Sequence, residues 1–128
     1  MTLSIYKLTK NYPKEELFGL VSQLRRAMSS VPTNITEGCG RLSDLDFRRF
    51  LIIAHGSATE VEYLLFLSLE LEFISNNDYN NLNEKIITLR KQIHSLIKKL
   101  SEWFAFGQLA SSKKNKNNNN RFLSVRQS

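Results

Sequence analysis

The sequence predicts an all-α protein: an antiparallel up-down-up-down four-helix bundle with a shortened first helix and a disordered C-terminal tail. Apolar residues recur in alternating steps of three and four along most of the chain, and only two prolines interrupt that spacing. The segments between the predicted helices are short, which favours antiparallel neighbours. We therefore expect a four-helix bundle domain over residues 1–107, followed by a disordered, basic, asparagine-rich tail over residues 108–128.

The first predicted helix is short and runs from about Thr2 to Lys10. Pro13 then indicates the first turn of a second helix, because proline is tolerated there and the carboxylates that follow it favour the positive end of the helix dipole. A stripe of apolar residues continues along this helix to Gly38: Leu17, Val21, Leu24, Met28, Val31 and Ile35. The stripe passes Pro32, so we expect a kink near residues 28–32.

The third predicted helix begins after a Ser43 cap, with Asp46 three residues later, and runs from Asp44 to about Phe73. One apolar stripe on this helix has the spacing of a bundle core: Phe47, Leu51, Ala54, Ala58, Val61 and Leu65. A second stripe lies about 100° around the helix: Phe50, Ile53, Leu64, Leu67 and Leu71. Together the two stripes make an apolar face wider than a four-helix core needs. Either neighbouring helices or another subunit covers the second stripe, and we predict that it is an oligomer interface.

The fourth predicted helix runs from a cap at Ser75 or Asn76 to about Phe104. Its stripe keeps the same rhythm throughout: Leu82, Ile86, Leu89, Ile93, Leu96, Leu100 and Trp103. Beyond Gly107 the chain is polar and of low complexity, with little to bury, which predicts disorder for residues 108–128.

Charge and cysteine content give limited information about partners. The net charge is +6, but the tail contains five basic and no acidic residues, so the bundle domain is nearly neutral. The single cysteine, Cys39, excludes an intramolecular disulfide and favours a reducing compartment. The N-terminal segment has no apolar stretch typical of a signal peptide or a membrane anchor. We expect a soluble, cytoplasmic protein that does not enter a membrane.

Arginines cluster within 25 residues of the bundle domain: Arg25, Arg26, Arg41, Arg48 and Arg49. Opposite the apolar stripe of the second helix lies a polar stripe: Gln23, Arg26, Ser30, Asn34, Glu37 and Arg41. Three interpretations of this stripe remain open. Arg26, Asn34 and Glu37 satisfy one another or cap the backbone at Pro32, or the stripe contacts another subunit, or it contacts RNA.

Glu60 lies on the second apolar face of the third helix, where an unpaired carboxylate would be costly. Arg25, Arg26 or Arg49 could pair with it, within one subunit or between two, because guanidinium groups pair with carboxylates in a bidentate fork. The alternative is an exposed glutamate that extends into solvent.

The sequence contains no convincing catalytic constellation. A di-iron bundle requires Glu-x-x-His pairs, and neither His55 nor His94 has a glutamate three residues before it. Arg49 and His55 have the spacing of some helical-bundle ribonucleases, but six residues along one helix correspond to a rotation of about 240°, so the two side chains diverge. We predict that the protein is not an enzyme and has no catalytic residues, metal, cofactor or small-molecule substrate.

Two motifs carry a family resemblance. QLRRAMSSVPTNITEGCGR at residues 23–41, followed by Phe50-Leu51 and by Ile53 to Ser57 with Glu60 and Glu62, resembles the pattern of the family called four helix bundle protein. Members are often encoded within intervening sequences of bacterial 23S ribosomal RNA genes. They resemble more distantly the accessory proteins of diversity-generating retroelements, which bind RNA and reverse transcriptase.

The resemblance implies an up-down bundle, a pentameric homo-oligomer and no established catalytic activity. The longer first helix of the family, with an aromatic-rich segment before the equivalent of Ile5, is missing here. We expect a non-enzymatic, RNA-associated oligomer. Arg25, Arg26, Asn34, Glu37, Arg41, Arg48 and Arg49 are the candidate residues for RNA or subunit contact, and Glu60 joins the second apolar stripe at the predicted interface. The alternative is a protein-interaction scaffold or a selfish-element passenger with no direct role on nucleic acid.

Overall fold

The computed structural model of the protein describes residues 1–127. It contains four helices, α1 (Thr2–Thr9), α2 (Leu20–Cys39), α3 (Asp44–Glu70) and α4 (Asn76–Gln127), with a 3₁₀ turn at Lys14–Glu16 between α1 and α2. No strand occurs within residues 1–127. The prediction of an all-α, up-down arrangement is confirmed.

The central element of the bundle is α3. It packs along α2 on one side and along α4 on the other, whereas α1 packs only against α2. Within residues 1–127, no Cα atom of α2 lies within 8 Å of one in α4. Eight residues make α1 about 12 Å long, against about 30 Å for the twenty residues of α2, so α1 accompanies less than half of its neighbour.

The core contains the apolar stripes that the sequence predicts for the second, third and fourth helices. The largest side chains that are almost completely buried come from all four helices: Ile5, Leu24, Met28, Leu51, Leu65 and Ile86. Two stripe members are exceptions, since Leu17 and Trp103 are exposed. By length and composition α3 could cross a membrane, but the core helix of a soluble protein passes the same test, and α3 is the core helix of this bundle.

The start of α2 differs from the prediction. Pro13 precedes a 3₁₀ turn rather than an α-helix. The helical conformation is then interrupted at Gly19, whose ψ is −110°. The backbone N–H of Leu20 donates to the carboxylate of Glu16 at 3.3 Å, so a side chain from the 3₁₀ turn caps α2. Phe18, in the segment between the 3₁₀ turn and α2, is 92% exposed. From Leu20, α2 runs as one helix through Pro32 to Cys39.

Both ends of α3 have local hydrogen bonds that account for their positions. The Ser43 side chain accepts from the backbone N–H of Asp46 at 3.1 Å, which confirms the predicted cap. At the other end, Phe73 N–H donates to Ser68 O and Glu72 N–H to Leu69 O, the two bonds of a Schellman motif. Glu72 takes the left-handed position of that motif, with φ of 62°, and so α3 ends three residues earlier than predicted.

The fourth helix is longer than predicted. Instead of ending near Phe104, α4 continues to Gln127, and every residue from Glu102 to Arg121 is exposed. No proline follows Pro32, and extending a preformed helix needs no new nucleus, so a polar sequence can continue it. Residues 102–121 therefore extend α4 without contributing to the core. Ser128 lies outside the described residues.

Candidate RNA-contact and subunit-contact surfaces

Two arginines share one phenylalanine ring beside the turn that joins α2 and α3. The guanidinium carbon of Arg41 lies 4.6 Å from the centroid of the Phe50 ring, and that of Arg49 lies 5.3 Å from it. Both distances are within the range of cation–π attraction. Phe50 is buried against Gly38 of α2, where an added Cβ would lie 2.9 Å from the Phe50 Cβ. The packed ring therefore holds both guanidinium groups at one place on the surface.

Carboxylates engage these two guanidinium groups only loosely. Nη2 of Arg41 lies 3.9 Å from the Glu37 carboxylate, and Nη2 of Arg49 lies 3.6 Å from the Asp46 carboxylate. A strong charge-assisted hydrogen bond is about 2.7–2.9 Å long. All four side chains are also substantially exposed, and exposed ion pairs contribute little. Both arginines are thus available to an external anion.

The other arginines of the predicted cluster are held elsewhere. Nε of Arg25 donates to Thr9 Oγ1 at 2.9 Å, and its guanidinium lies over the Tyr6 ring of α1. Nε of Arg48 donates to Ser101 Oγ at 2.6 Å and so faces α4. Because successive residues of an α-helix are rotated by about 100°, the side chains of Arg48 and Arg49 point in different directions. The structure therefore does not combine the five arginines into one basic surface.

The polar stripe of α2 meets α3 along a line that we call the α2–α3 seam, formed by Ser30, Asn34 and Ser57, with Arg26 and Glu60 at its outer edges. The hydroxyls of Ser30 and Ser57 hydrogen-bond across it at 2.8 Å. Nδ2 of Asn34 donates to the Ser30 carbonyl at 2.8 Å and to its hydroxyl at 2.9 Å. Asn34 is thus satisfied by Ser30 rather than by Arg26 or Glu37. Arg26 makes one 3.4 Å bond, to Ser22.

The second apolar stripe of α3 divides between core and surface. Phe50 and Leu64 are buried and Leu67 is partly buried within the single chain, because α2 covers that side of α3. Ile53 and Leu71 are exposed. The surface that remains for a subunit contact is therefore narrower than the sequence suggests.

Glu60 is exposed and forms no ion pair with Arg25, Arg26 or Arg49, nor with any other side chain that the structure describes. Within the single chain the structure shows the exposed glutamate of the alternative interpretation, and pairing between subunits stays a prediction. Water solvates a carboxylate at the outer edge of the seam, so an internal partner is unnecessary.

The interface of α3 with α4 contains two pairs that the sequence analysis did not anticipate. Nε of Arg90 donates to the Glu62 carboxylate at 2.8 Å, with both side chains about two-thirds buried. The rings of His55 and His94 lie 5.7 Å apart. Burial, followed by the nearby His94 and Arg90, lowers the pKa of His55. Both pairs depend on the register between two helices, which apolar spacing alone does not fix.

The described side chains contain no group of three or more His, Cys, Asp and Glu residues that could hold a metal ion. Arg49 contacts Phe50, whereas His55 faces His94, so the arginine and histidine of the ribonuclease-like spacing point to different neighbours. Cys39 is an exposed free thiol.

Comparison with known proteins identifies the family. The model of the 23S rRNA-intervening sequence protein family matches residues 1–95. The chain belongs to this family. The match covers α1, α2 and α3 together with the first part of α4, so it contains the Arg41–Phe50–Arg49 group and the whole α2–α3 seam.

A solved structure supports the same assignment for this 23S rRNA-intervening sequence protein. It is a protein of unknown function from the S23 ribosomal protein family of Bacteroides thetaiotaomicron, 31% identical to this chain with a TM-score of 0.68. The alignment covers 76% of this chain and 88% of the other. No curated protein matches the chain. Neither the family nor this structural relative is described as an enzyme.

Proposed function

We propose that this 23S rRNA-intervening sequence protein is a non-enzymatic, cytoplasmic, RNA-associated protein that contacts the phosphate backbone with Arg41 and Arg49. One observation carries the proposal: two loosely paired guanidinium groups lie on the same ring, that of Phe50. Membership of a family named for intervening sequences in ribosomal RNA makes RNA the relevant polyanion.

The chemistry of the group suits a phosphate diester. A guanidinium that lies over an aromatic ring still has N–H donors along its edge, and these match the oxygens of a phosphate in a bidentate fork. Two such groups beside one ring repel each other, and an anion between them relieves that repulsion. Glu37 and Asp46 neutralise them only weakly, at 3.9 and 3.6 Å. Contacts of this kind position a protein on a nucleic acid without reading its sequence.

The extension of α4 is a second basic region, and an experiment has to separate it from the Arg41–Arg49 pair. Residues 108–127 are helical, and this region contains five basic residues and no acidic residue: Lys113, Lys114, Lys116, Arg121 and Arg126. Glutamine substitutions at these five exposed residues remove the charge and preserve helix propensity. This tail-neutral full-length chain is the reference protein for the tests below.

The test is a titration of a labelled RNA hairpin with the tail-neutral chain, followed by fluorescence anisotropy between about 50 and 200 mM salt. We expect salt-sensitive binding and a log–log slope that becomes shallower by about two, since two phosphate contacts are lost, when Arg41→Gln and Arg49→Gln are added. The matched control is Lys98→Gln with Lys99→Gln, two exposed lysines of α4 that carry the same total charge. Equal changes of slope in the two double variants would refute a specific role for the arginine pair.

A protein-interaction scaffold or selfish-element passenger without direct RNA contact remains the second candidate. The exposed apolar side chains on the outer side of α3 favour it: Ile52, Ile53, Tyr63, Phe66 and Leu71. Under this alternative the tail-neutral chain does not bind the hairpin at any salt concentration, while the wild-type tail retains weak, non-specific binding.

A further inference from the structure

A groove of about 520 Å³ lies where α1, the segment after the 3₁₀ turn and the first turns of α2 meet. Sites for small ligands have volumes of about 300–1,000 Å³. Three of the lining side chains are apolar or aromatic and exposed, with Tyr6 at 40%, Leu17 at 49% and Phe18 at 92%. The lining residues from α2 are mostly polar, and two of them are Arg25 and Arg26. The phosphate contact proposed above uses none of these residues.

The exposed ring of Phe18 stands on a backbone that is held on both sides. Leu17 N–H donates to the Lys14 carbonyl at 3.2 Å, and Gly19 N–H donates to the Glu16 carbonyl at 3.1 Å. These bonds do not involve the Phe18 side chain, which is therefore presented to solvent from an ordered position. Together with Leu17 it forms an exposed apolar surface on the groove, and such surfaces mark binding sites.

The two arginines of the groove are held differently. Nε of Arg25 donates to Thr9 Oγ1 at 2.9 Å, and its guanidinium carbon lies 4.7 Å from the centroid of the Tyr6 ring, so this guanidinium has a fixed position. Arg26 is exposed, makes only the 3.4 Å bond to Ser22 and has no ion pair within residues 1–127. Among the described residues that line the groove, none is acidic. The groove is therefore cationic, and Arg26 is available to an anion.

We infer that this groove binds one unpaired nucleotide of RNA, with the base stacked on Phe18 and the phosphate bound by Arg26. The inference rests on the proposed association with RNA and adds a second contact to it. A nucleotide joins a flat, weakly polar base to an anion, and the groove joins an exposed aromatic ring to a cation without a competing carboxylate. Proteins bind unpaired RNA bases by stacking them on aromatic rings and guanidinium planes. Because every base has such a face, the contact tolerates any base.

The position of the groove predicts which RNAs benefit from it. Arg26 and Arg41 are fifteen residues apart, which corresponds to about 22 Å along the helix axis. A single strand that leaves a paired region can therefore reach the groove while the paired region contacts Arg41 and Arg49. Two contacts joined by one RNA reinforce each other through effective concentration. The groove should raise the affinity for RNA with a single-stranded extension and leave the affinity for paired RNA unchanged.

The first test adds a single-stranded extension of about eight uridines to the hairpin and compares the two RNAs on the tail-neutral chain by fluorescence anisotropy. We expect the extension to raise affinity by about tenfold, which is the size of the contribution from stacking one base on an aromatic ring. Phe18→Ala should abolish this gain, and Phe18→Tyr should retain it because tyrosine also has a ring. The matched control is Phe106→Ala, at a phenylalanine of α4 that is 74% exposed, and it should leave the gain in place.

The salt dependence tests the cation of the groove separately. Arg26→Gln should make the log–log slope of the extended hairpin shallower by about one, since one phosphate contact is lost. The slope of the hairpin without the extension should not change. An equal change of slope for both RNAs would overturn the assignment of Arg26 to the unpaired nucleotide.

Photocrosslinking locates the extension directly. Iodouracil placed in the extension couples on irradiation to aromatic side chains that it contacts, and mass spectrometry of the digested complex should identify the peptide that contains Phe18. A gain in affinity that survives Phe18→Ala, or crosslinks only outside the groove, would overturn the inference. These results would leave the contact through Arg41 and Arg49 standing, because that contact is measured on the hairpin alone. Phe18-dependent binding of the extension without the slope change expected for Arg41 and Arg49 would support the groove and refute the arginine pair.

Discussion

The close contact between α2 and α3 at Gly38 gives a prediction with a definite sign. A Cβ at this position would lie 2.9 Å from both the Cδ2 of Phe47 and the Cβ of Phe50. Carbon atoms in contact normally lie about 3.5–4.0 Å apart, so Gly38→Ala forces the two helices about 0.6 Å or more apart at this point. The Phe50 Cβ is fixed to the α3 backbone, and a rotamer change cannot move it away.

The expected cost is the difference between two effects. Overpacking of a core costs about 1–3 kcal/mol, whereas replacing a helical glycine by alanine returns about 1 kcal/mol. We expect Gly38→Ala to lower the free energy of unfolding by up to about 2 kcal/mol in urea denaturation, without a change in the denaturant slope. Alanine also lowers the conformational entropy of the unfolded chain, and this effect is already included in the difference in helix propensity.

Gly40→Ala is the matched control for this prediction. Gly40 lies two residues away at the C-terminus of the same helix, with φ of −81°, and its added Cβ would meet only the Glu37 carbonyl at 3.5 Å, an ordinary contact. The control should be neutral or stabilising by up to about 1 kcal/mol. If Gly38→Ala is as stable as Gly40→Ala, the close packing of the two helices at this point is refuted.

Four further variants test other local interactions by urea or thermal denaturation. The buried Tyr12 hydroxyl has no hydrogen bond of acceptable geometry, so Tyr12→Phe should leave stability unchanged or raise it by up to about 1 kcal/mol; a larger loss would reveal a hidden partner. Glu72→Gly should stabilise by about 0.5–1 kcal/mol, because a non-glycine residue is strained at φ of 62°; no gain would argue against that conformation. Glu62→Gln should cost about 0.5–1 kcal/mol through loss of the Arg90 ion pair, and high salt should shrink that difference. Folding lowers the pKa of His55, so stability should fall as pH drops below the unfolded value of about 6.5, and His55→Gln should reduce that fall; identical pH profiles would contradict it.

The hydroxyl of Tyr12 illustrates how a buried group responds to competing influences. Burial raises the pKa of Tyr12, and the nearby Ser68 hydroxyl opposes that rise. The two hydroxyl groups do not have the geometry of a hydrogen bond. Ser68 Oγ donates to the Leu64 carbonyl at 2.8 Å. We therefore interpret the Ser68 effect as a weak dipolar contact, which is why Tyr12→Phe is expected to be tolerated.

Apolar spacing predicted the helical core because burial acts directly on it. In α3, Leu51, Ala54 and Leu65 are buried as their three-four rhythm requires. The same spacing wrongly predicted that Leu17 is buried. Leu17 fits the stripe, but it lies with Phe18 and Gly19 in the irregular segment before α2. Local backbone geometry there overrides the periodic pattern.

The candidate site was only partly predictable. The five arginines lie close together in the sequence. The rotation of about 100° per residue along a helix already predicts that Arg48 and Arg49 point in different directions. Their actual partners depend on distant chain segments: Ser101 for Arg48, and Phe50 packed on Gly38 for Arg49. Such contacts follow from the register of packed helices, which a periodic pattern does not specify.

The most direct measurement of the central claim is an NMR titration of arginine side-chain Nε–Hε groups in the tail-neutral chain with the RNA hairpin. We predict that the Arg41 and Arg49 signals shift together and saturate with the binding curve. The Arg25 and Arg48 signals should remain in place, because Thr9 and Ser101 already accept their Nε–H bonds. Equal shifts of all four signals, or binding without a shift of Arg41 and Arg49, would contradict the assignment of the RNA contact to this pair.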